Sequence, residues 1–261
     1  MPLPADTRVN IPGDLDTAAW DKVRADIRRR AFFMAGVERA EVLQTFRDTA
    51  RAVAEGRLST VEARKRLRAA LARLNYRPAE GEEGTIKDLG TIKRMNVAIE
   101  TNVEMVHGWA NHTRQLGDTA YPAQELYRAE QRNMPRNWRA RWMEAARQVG
   151  GKGVAKDGSM VALLTSPVWT ALSRFGNPYP PYDFNSGMDV KPVGFKRAQE
   201  LGLITPESVE DIKAARDKAL EGGMNAGVEA RPGVRDADLR AQLAKELEGV
   251  AEFDGEVLRM I

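Results

Sequence analysis

The sequence predicts a mainly α protein, with a helical N-terminal module, a central α+β domain built on one long helix with a small hairpin, and C-terminal helices. Three observations predict it. Apolar residues recur at spacings of three and four along most of the chain, the period of a helix with one buried face. Only one short run, Met160-Val161-Ala162-Leu163-Leu164, reads as a strand. Gly and Pro fall where the periodic segments stop. With 261 residues, 43% of them hydrophobic, the chain can bury a real core as one large domain or two small ones.

The first helix is expected over residues 17–36, capped by Asp16, with Trp20, Val23, Ile27, Ala31, Phe32 and Phe33 as its stripe. A second, over 38–54, carries Val42, Leu43, Phe46, Ala50 and Val53 and ends at Gly56. Ser59-Thr60-Val61-Glu62 has the capping-box form, a hydroxyl for a free N–H and a Glu three residues on. The helix it opens carries Leu67, Leu71 and Leu74 and stops before Pro78. These three make the N-terminal module, residues 1–77. Residues 78–85 are polar, with Gly and Pro, and read as a linker.

The central domain is expected over 86–204. A long helix over 88–116 carries Ile92, Met95, Ile99, Val103, Val106 and Ala110, with Gly117 closing it. Residues 123–132 and 137–149 read as further helices, Gly150-Gly151-Lys152-Gly153 as a flexible turn, and Pro167 as the first turn of a helix ending near Phe175. Asn177-Pro178-Tyr179-Pro180-Pro181-Tyr182-Asp183-Phe184 reads as an ordered, extended loop, because its prolines bar a helix. A C-terminal extension, 205–261, starts with a helix at Thr205-Pro206-Glu207 carrying Val209, Ile212, Ala215 and Ala219, and includes an amphipathic helix over 236–247. Such short helices are marginal alone, so the segment from Thr205 is expected to need the central domain or a partner.

Composition excludes several classes of function. There is no cysteine, so disulfides, thiolate nucleophiles and thiolate zinc sites are impossible. The two histidines, His107 and His112, cannot build a histidine-rich metal site. The mean hydropathy of -0.47 and the lack of a long apolar run argue against a membrane span. No signal peptide is expected from Met1-Pro2-Leu3-Pro4-Ala5-Asp6. The net charge is only +3, but it is unevenly placed: roughly six excess positives up to Arg77 and roughly five excess negatives after Thr205. That pattern fits either solvated helix faces or an adaptor between unlike partners.

No catalytic constellation emerges. The histidines lie five residues apart on one helix, turned about 140° from each other. Neither Gly-x-Ser-x-Gly nor His-Glu-x-x-His occurs. Gly150-Gly151-Lys152-Gly153 hints at a phosphate cradle, but Val154 stands where a P-loop continues with Ser or Thr. Glu80, Glu82 and Glu83 lie in the linker, with no apolar setting to raise a carboxylate pKa. No enzyme, no metal and no cofactor is expected. Two groups remain as candidate surfaces. Tyr179, Pro180, Pro181, Tyr182 and Phe184 either lock their loop onto the core or form a docking surface. Arg28, Arg29, Arg30, Arg64, Lys65, Arg66, Arg136 and Arg139 offer either DNA phosphate contacts or solvated and protein-facing helix surfaces.

Three segments, in order, carry a resemblance. They are Ile99-Glu100-Thr101-Asn102-Val103-Glu104-Met105-Val106; Tyr121-Pro122-Ala123-Gln124-Glu125-Leu126-Tyr127-Arg128 with Met134-Pro135-Arg136-Asn137-Trp138; and Ser166-Pro167-Val168-Trp169 with the loop from Asn177 to Met188. Together they resemble the phage Mu F-like minor head proteins (the phage head morphogenesis family). There a Thr-Asn-rich helix, an Arg-containing segment, a Pro-x-Trp element and a Pro-Pro-aromatic loop leading to a short closing strand follow one another. Arg30-Ala31-Phe32-Phe33 is similar to the N-terminal module of such proteins. The family's Arg-Pro-x-His and Cys-x-Cys elements are absent, so no metal or thiol property carries over. The resemblance implies a structural, non-enzymatic protein acting in head morphogenesis at the portal vertex, in the virion and, during assembly, in the host cytoplasm. Its implied partners are the portal protein and other capsid or neck proteins, with no membrane. The alternative is an accessory protein that binds packaged DNA non-specifically and influences packaging or ejection.

Overall fold

The computed structural model describes residues 9–10, 17–20, 31–221, 229–230, 237, 241, 245, 251–253 and 258–260. The protein is mostly helical, with a small three-stranded antiparallel sheet in its middle. It divides into two compact units, residues 1–107 with 224–261, and residues 108–223. The division falls inside the long helix, and residues 78–85 lie within the first unit.

In the first unit, β1 (Val9–Asn10) pairs in parallel with β2 (Ala31–Phe32), and α1 spans Thr17–Trp20. The helix expected over 17–36 does not reach residue 36, since its last six residues are a strand and a turn, and residues 21–30 lie outside the described residues. Phe32 and Met34 are both buried while Phe33 is half-buried, a period of two that extended chain satisfies and a helix does not. Helix α2 (Ala40–Ala54) buries Val42, Leu43, Phe46 and Ala50, and Gly56 follows it at φ +71°. Helix α3 (Thr60–Arg73) opens on the expected capping box: Ser59 Oγ accepts from Glu62 N at 3.2 Å, and Glu62 Oε2 accepts from Ser59 N at 3.0 Å. Its Leu67 and Leu71 join Phe32, Met34, Leu43, Phe46, Leu89, Met95 and Ile99 in one core.

Residues 78–85 form successive turns that Asp88 ties down. Its carboxylate accepts from Gly84 N at 3.0 Å and Gly90 N at 2.8 Å, and Tyr76 Oη accepts from Leu89 N at 3.0 Å. Helix α4 (Ile92–Gly117) has 26 residues, about 39 Å of rise. Its stripe starts at Met95, because Ile92 in the first turn is 53% exposed.

In the second unit, the stretch expected as helix over 123–132 is instead β3 (Ala123–Arg128). It is the central strand, flanked antiparallel by β4 (Met160–Leu163) and β5 (Met188–Val193). The expected hairpin is thus a three-stranded sheet. Ala, Gln, Glu, Leu and Arg favour helix by only tenths of a kcal/mol each, and backbone pairing on both edges outweighs that preference. Alternate residues of β3 serve two cores. Leu126, Ala162 and Met188 face α5 (Trp138–Val149) and α6 (Val168–Leu172), while Ala123, Val161 and Val193 face α7 (Phe195–Glu200) and Ile204.

A 3-10 turn (Pro206–Ser208) leads into α8 (Val209–Glu221), whose Val209 and Ile212 pack on the second cluster. Arg216 anchors α8 further. Its guanidinium donates to Leu116 O at 2.7 and 3.0 Å, to Gln115 O at 2.6 Å and to Asp118 O, satisfying carbonyls left open where α4 ends.

Beyond α8, strands β6 (Glu229–Ala230), β7 (Ala251–Phe253) and β8 (Leu258–Met260) form an antiparallel sheet in the order β6-β8-β7. The C-terminal extension is therefore not purely helical; Leu258-Arg259-Met260 alternates as a strand does. The helix expected over 236–247 lies outside the described residues except at 237, 241 and 245, which are helical. No helix among the described residues is long and apolar enough to cross a membrane.

Candidate functional site: the aromatic-proline loop and its arginines

Short-range chemistry positions α5 and α6. Asn137 Oδ1 accepts from Ala140 N at 3.0 Å at the start of α5, and Gly150 closes it at φ +66°. These helices carry Trp142 and Trp169, which meet edge to face with centroids 5.0 Å apart. Trp169 Nε1 donates to Leu163 O at 2.8 Å, tying α6 to the end of β4.

The loop from Asn177 to Gly187 closes over this pair. Tyr182 is fully buried, stacks on Trp169 at 5.8 Å, and donates through its hydroxyl to Pro178 O at 3.4 Å. Burial pushes its pKa well above the ordinary tyrosine value. Asn177 staples the loop from within. Its Nδ2 donates to Tyr179 O and to Pro181 O at 3.2 Å, and its Oδ1 accepts from Ser173 Oγ at 2.9 Å. Tyr179 packs between Trp109 and His112, each with ring centroids 5.7 Å away. The Pro180–Pro181 peptide is cis.

At Gly108 the helix meets the Pro180 carbonyl so closely that a Cβ would stand 1.9 Å from its oxygen. Tyr179, Pro181 and Tyr182 are buried, and Pro180 and Phe184 half-buried. Of the two readings of this loop, a strut locked onto the core describes its packing. Those three buried residues cannot form the docking surface.

Asp183 has no counterpart among the candidates read from sequence. It is buried, and three guanidiniums converge on it: Arg141 Nη1 at 2.8 Å, Arg136 Nε at 3.5 Å and Arg174 Nη1 at 3.7 Å. Arg141 also stacks over Trp138 at 4.3 Å, and Arg174 over Phe184 at 5.5 Å. Arg136, a candidate phosphate contact, donates to Phe184 O at 2.9 Å and Asn185 O at 3.4 Å. Its guanidinium thus holds the loop. No sequence signal joins residues 136, 141 and 174 to 183, because only the fold brings them together.

The remaining candidates are dispersed. Arg28, Arg29 and Arg30 lie outside the described residues. Arg64 donates to Asn96 Oδ1 at 3.0 Å, whereas Lys65, Arg66 and Arg139 are exposed. Lys152, in the glycine-rich turn, donates to Leu201 O at 3.1 Å and to Gly202 O, and so caps the end of α7. It lines an open groove of about 480 Å³ with Lys156, Asp157 and Arg197. Hydrogen bonds from Ser159, and then the nearby Arg197 charge, hold the Asp157 pKa below its ordinary value. His107 Nε2 lies 3.0 Å from Ala54 O and is exposed, while His112 is buried. Among the described residues no three His, Asp or Glu side chains are grouped as metal ligands.

Fold and site together define a mostly helical protein whose small antiparallel sheet is locked by an aromatic-proline loop. No protein-family model, no curated protein and no solved structure matches the chain.

Proposed function

We infer that this chain is a minor head protein of a tailed phage or prophage, a non-enzymatic structural adaptor in head morphogenesis at the portal vertex. The N-terminal helices form its peripheral module, residues 86–204 its Mu F-like domain, and the chain from 205 an extension. One observation carries the reading. The second and third of the segments that resemble the family cooperate in one core: β3, Trp138, Trp169, Tyr182 and the closing strand β5 pack together. That is the arrangement expected if the Pro-Pro-aromatic loop serves to deliver the closing strand to the sheet. A rigid domain made in this way works by shape and contact, with the portal protein and neighbouring capsid or neck proteins as partners.

Neighbouring reading frames and reconstitution test it. A large-terminase gene and a portal gene upstream are expected, and the purified chain should bind the co-expressed portal ring in a few copies per ring by size-exclusion chromatography. A lysis or metabolic operon, with no portal binding, overturns the assignment.

A further inference from the structure

Helix α3 carries an unusual surface. It holds Arg64, Lys65, Arg66, Arg68 and Arg73 against one acid, Glu62. Ala63, Leu67, Ala70 and Leu71 face the core, leaving Lys65, Arg66, Arg68 and Arg73 exposed on the outer side. Glu62 is committed to Ser59, whose hydroxyl donates to it at 2.6 Å and whose backbone N–H at 3.0 Å. Among the described residues the four exposed cations make no hydrogen bond and no ion pair within 4 Å, and only the Lys65 charge acts on Glu62, one turn before it. Neighbouring α2 is arranged differently: Arg39 pairs with Glu41 at 3.3 Å, and Arg51 with Glu55 at 2.5 Å. Like charges one turn apart on a helix are mutually destabilising. A polyanion laid on this face reverses that sign.

We propose that the outer face of α3 binds the phosphate backbone of nucleic acid, without base specificity. The dimensions agree. Lys65 to Arg73 spans about 12 Å of helix axis. Double-stranded DNA carries one negative charge per ~1.7 Å of axis over both strands, so one strand offers roughly three to four phosphates in that length. Ala69 and Ala72 lie exposed between the cations, short enough to let a sugar-phosphate chain approach. An acidic protein is the weaker fit. Protein interfaces centre on apolar and aromatic anchors, and the one large apolar side chain exposed on α3 is Val61 at 53%. This inference stands on α3 alone and does not depend on the phage reading.

The test uses the full chain and a labelled duplex of mixed sequence, with binding followed by fluorescence anisotropy across a salt series. Four phosphate contacts predict a slope of log K against log salt of about -3.6. K65Q/R66Q/R68Q/R73Q should lose more than about 100-fold in affinity near 0.1 M salt, while R66Q/R68Q should lower the slope by about half. K213Q, which neutralises an exposed lysine of the other unit, should change neither. The proposal is overturned if the α3 variants keep wild-type affinity and slope while melting normally, or if K213Q loses as much. It is also overturned if polyglutamate binds as tightly as the duplex at equal ionic strength, which would point to an acidic protein.

Discussion

Arg141 on α5 and Arg66 on α3 are the same residue type on helices of 12 and 14 residues, yet they do opposite things. Arg141 turns inward along the Trp138 face to Asp183, where Arg136 and Arg174 join it. Arg66 points outward with Lys65, Arg68 and Arg73 and meets no acid among the described residues. The difference lies in the surroundings. A buried carboxylate with a fixed backbone can organise several guanidiniums at once, whereas an exposed face with one occupied acid organises none. Counting arginines along the chain therefore says little about which of them bind a partner.

Removing Asp183 should break the comparison most sharply. Asp183→Ala leaves three guanidiniums crowded around a missing charge and should destabilise the 108–223 unit by about 3 kcal/mol, the low end for a broken buried pair because the arginines are a third exposed. Tryptophan fluorescence during denaturation reads this unit well, since Trp109, Trp138, Trp142 and Trp169 all lie in it. A midpoint equal to wild type would mean that the convergence on Asp183 contributes nothing.

Gly108→Ala comes next, at about 2 kcal/mol. The new Cβ opposes a backbone carbonyl, which cannot rotate away as a side chain tip could, so the loop carrying Asp183 must lift. Hydrogen exchange should rise in the loop from Asn177 to Gly187, and unchanged exchange there would count against the close seat of the loop.

Neutralising the outer face of α3 should do much less to the fold. The quadruple change to Gln at Lys65, Arg66, Arg68 and Arg73 is expected to move stability by no more than about 0.5 kcal/mol, as for surface sites without partners. A loss of several kcal/mol in chemical denaturation would mean these cations are structural after all, like those around Asp183.

The smallest effect concerns pH. Hydrogen bonds from the Ser59 side chain and backbone hold the Glu62 carboxyl below its ordinary pKa. A depressed carboxylate stabilises the fold above its unfolded pKa, and that contribution is lost as pH falls through the folded value. Amide protection in the first turn of α3 should therefore decline on acidification, and Glu62→Gln should flatten the decline. Equal pH dependence in the two proteins would remove the role assigned to Glu62.

Much of the local structure is legible in the sequence, and the features it hides share one physical cause. The Ser59–Glu62 box, the Gly56 stop, the turn at Gly150 and the buried stripe of α3 all involve residues within a turn or two of each other, so the sequence pattern contains the whole interaction. The strand at Ala123–Arg128 was hidden because its residues favour helix, and its pairing partners lie dozens of residues downstream at Met160–Leu163 and Met188–Val193. The loop was legible as ordered and extended, and locking onto the core was one of its two readings; which rings receive it was hidden, because they stand on α4 and α6.

By itself the sequence determined where most helices begin and end, the lack of thiol chemistry, and the concentration of positive charge toward one end. Only the tertiary structure decided that Arg136, Arg141 and Arg174 share Asp183, that Arg216 closes the end of α4, that Gly108 must be bare, and that the cations of α3 are left outward. The physical reason is range. Capping and helical periodicity act between neighbours in sequence, while charge pairing and close packing depend on which distant segments the fold brings within a few ångströms.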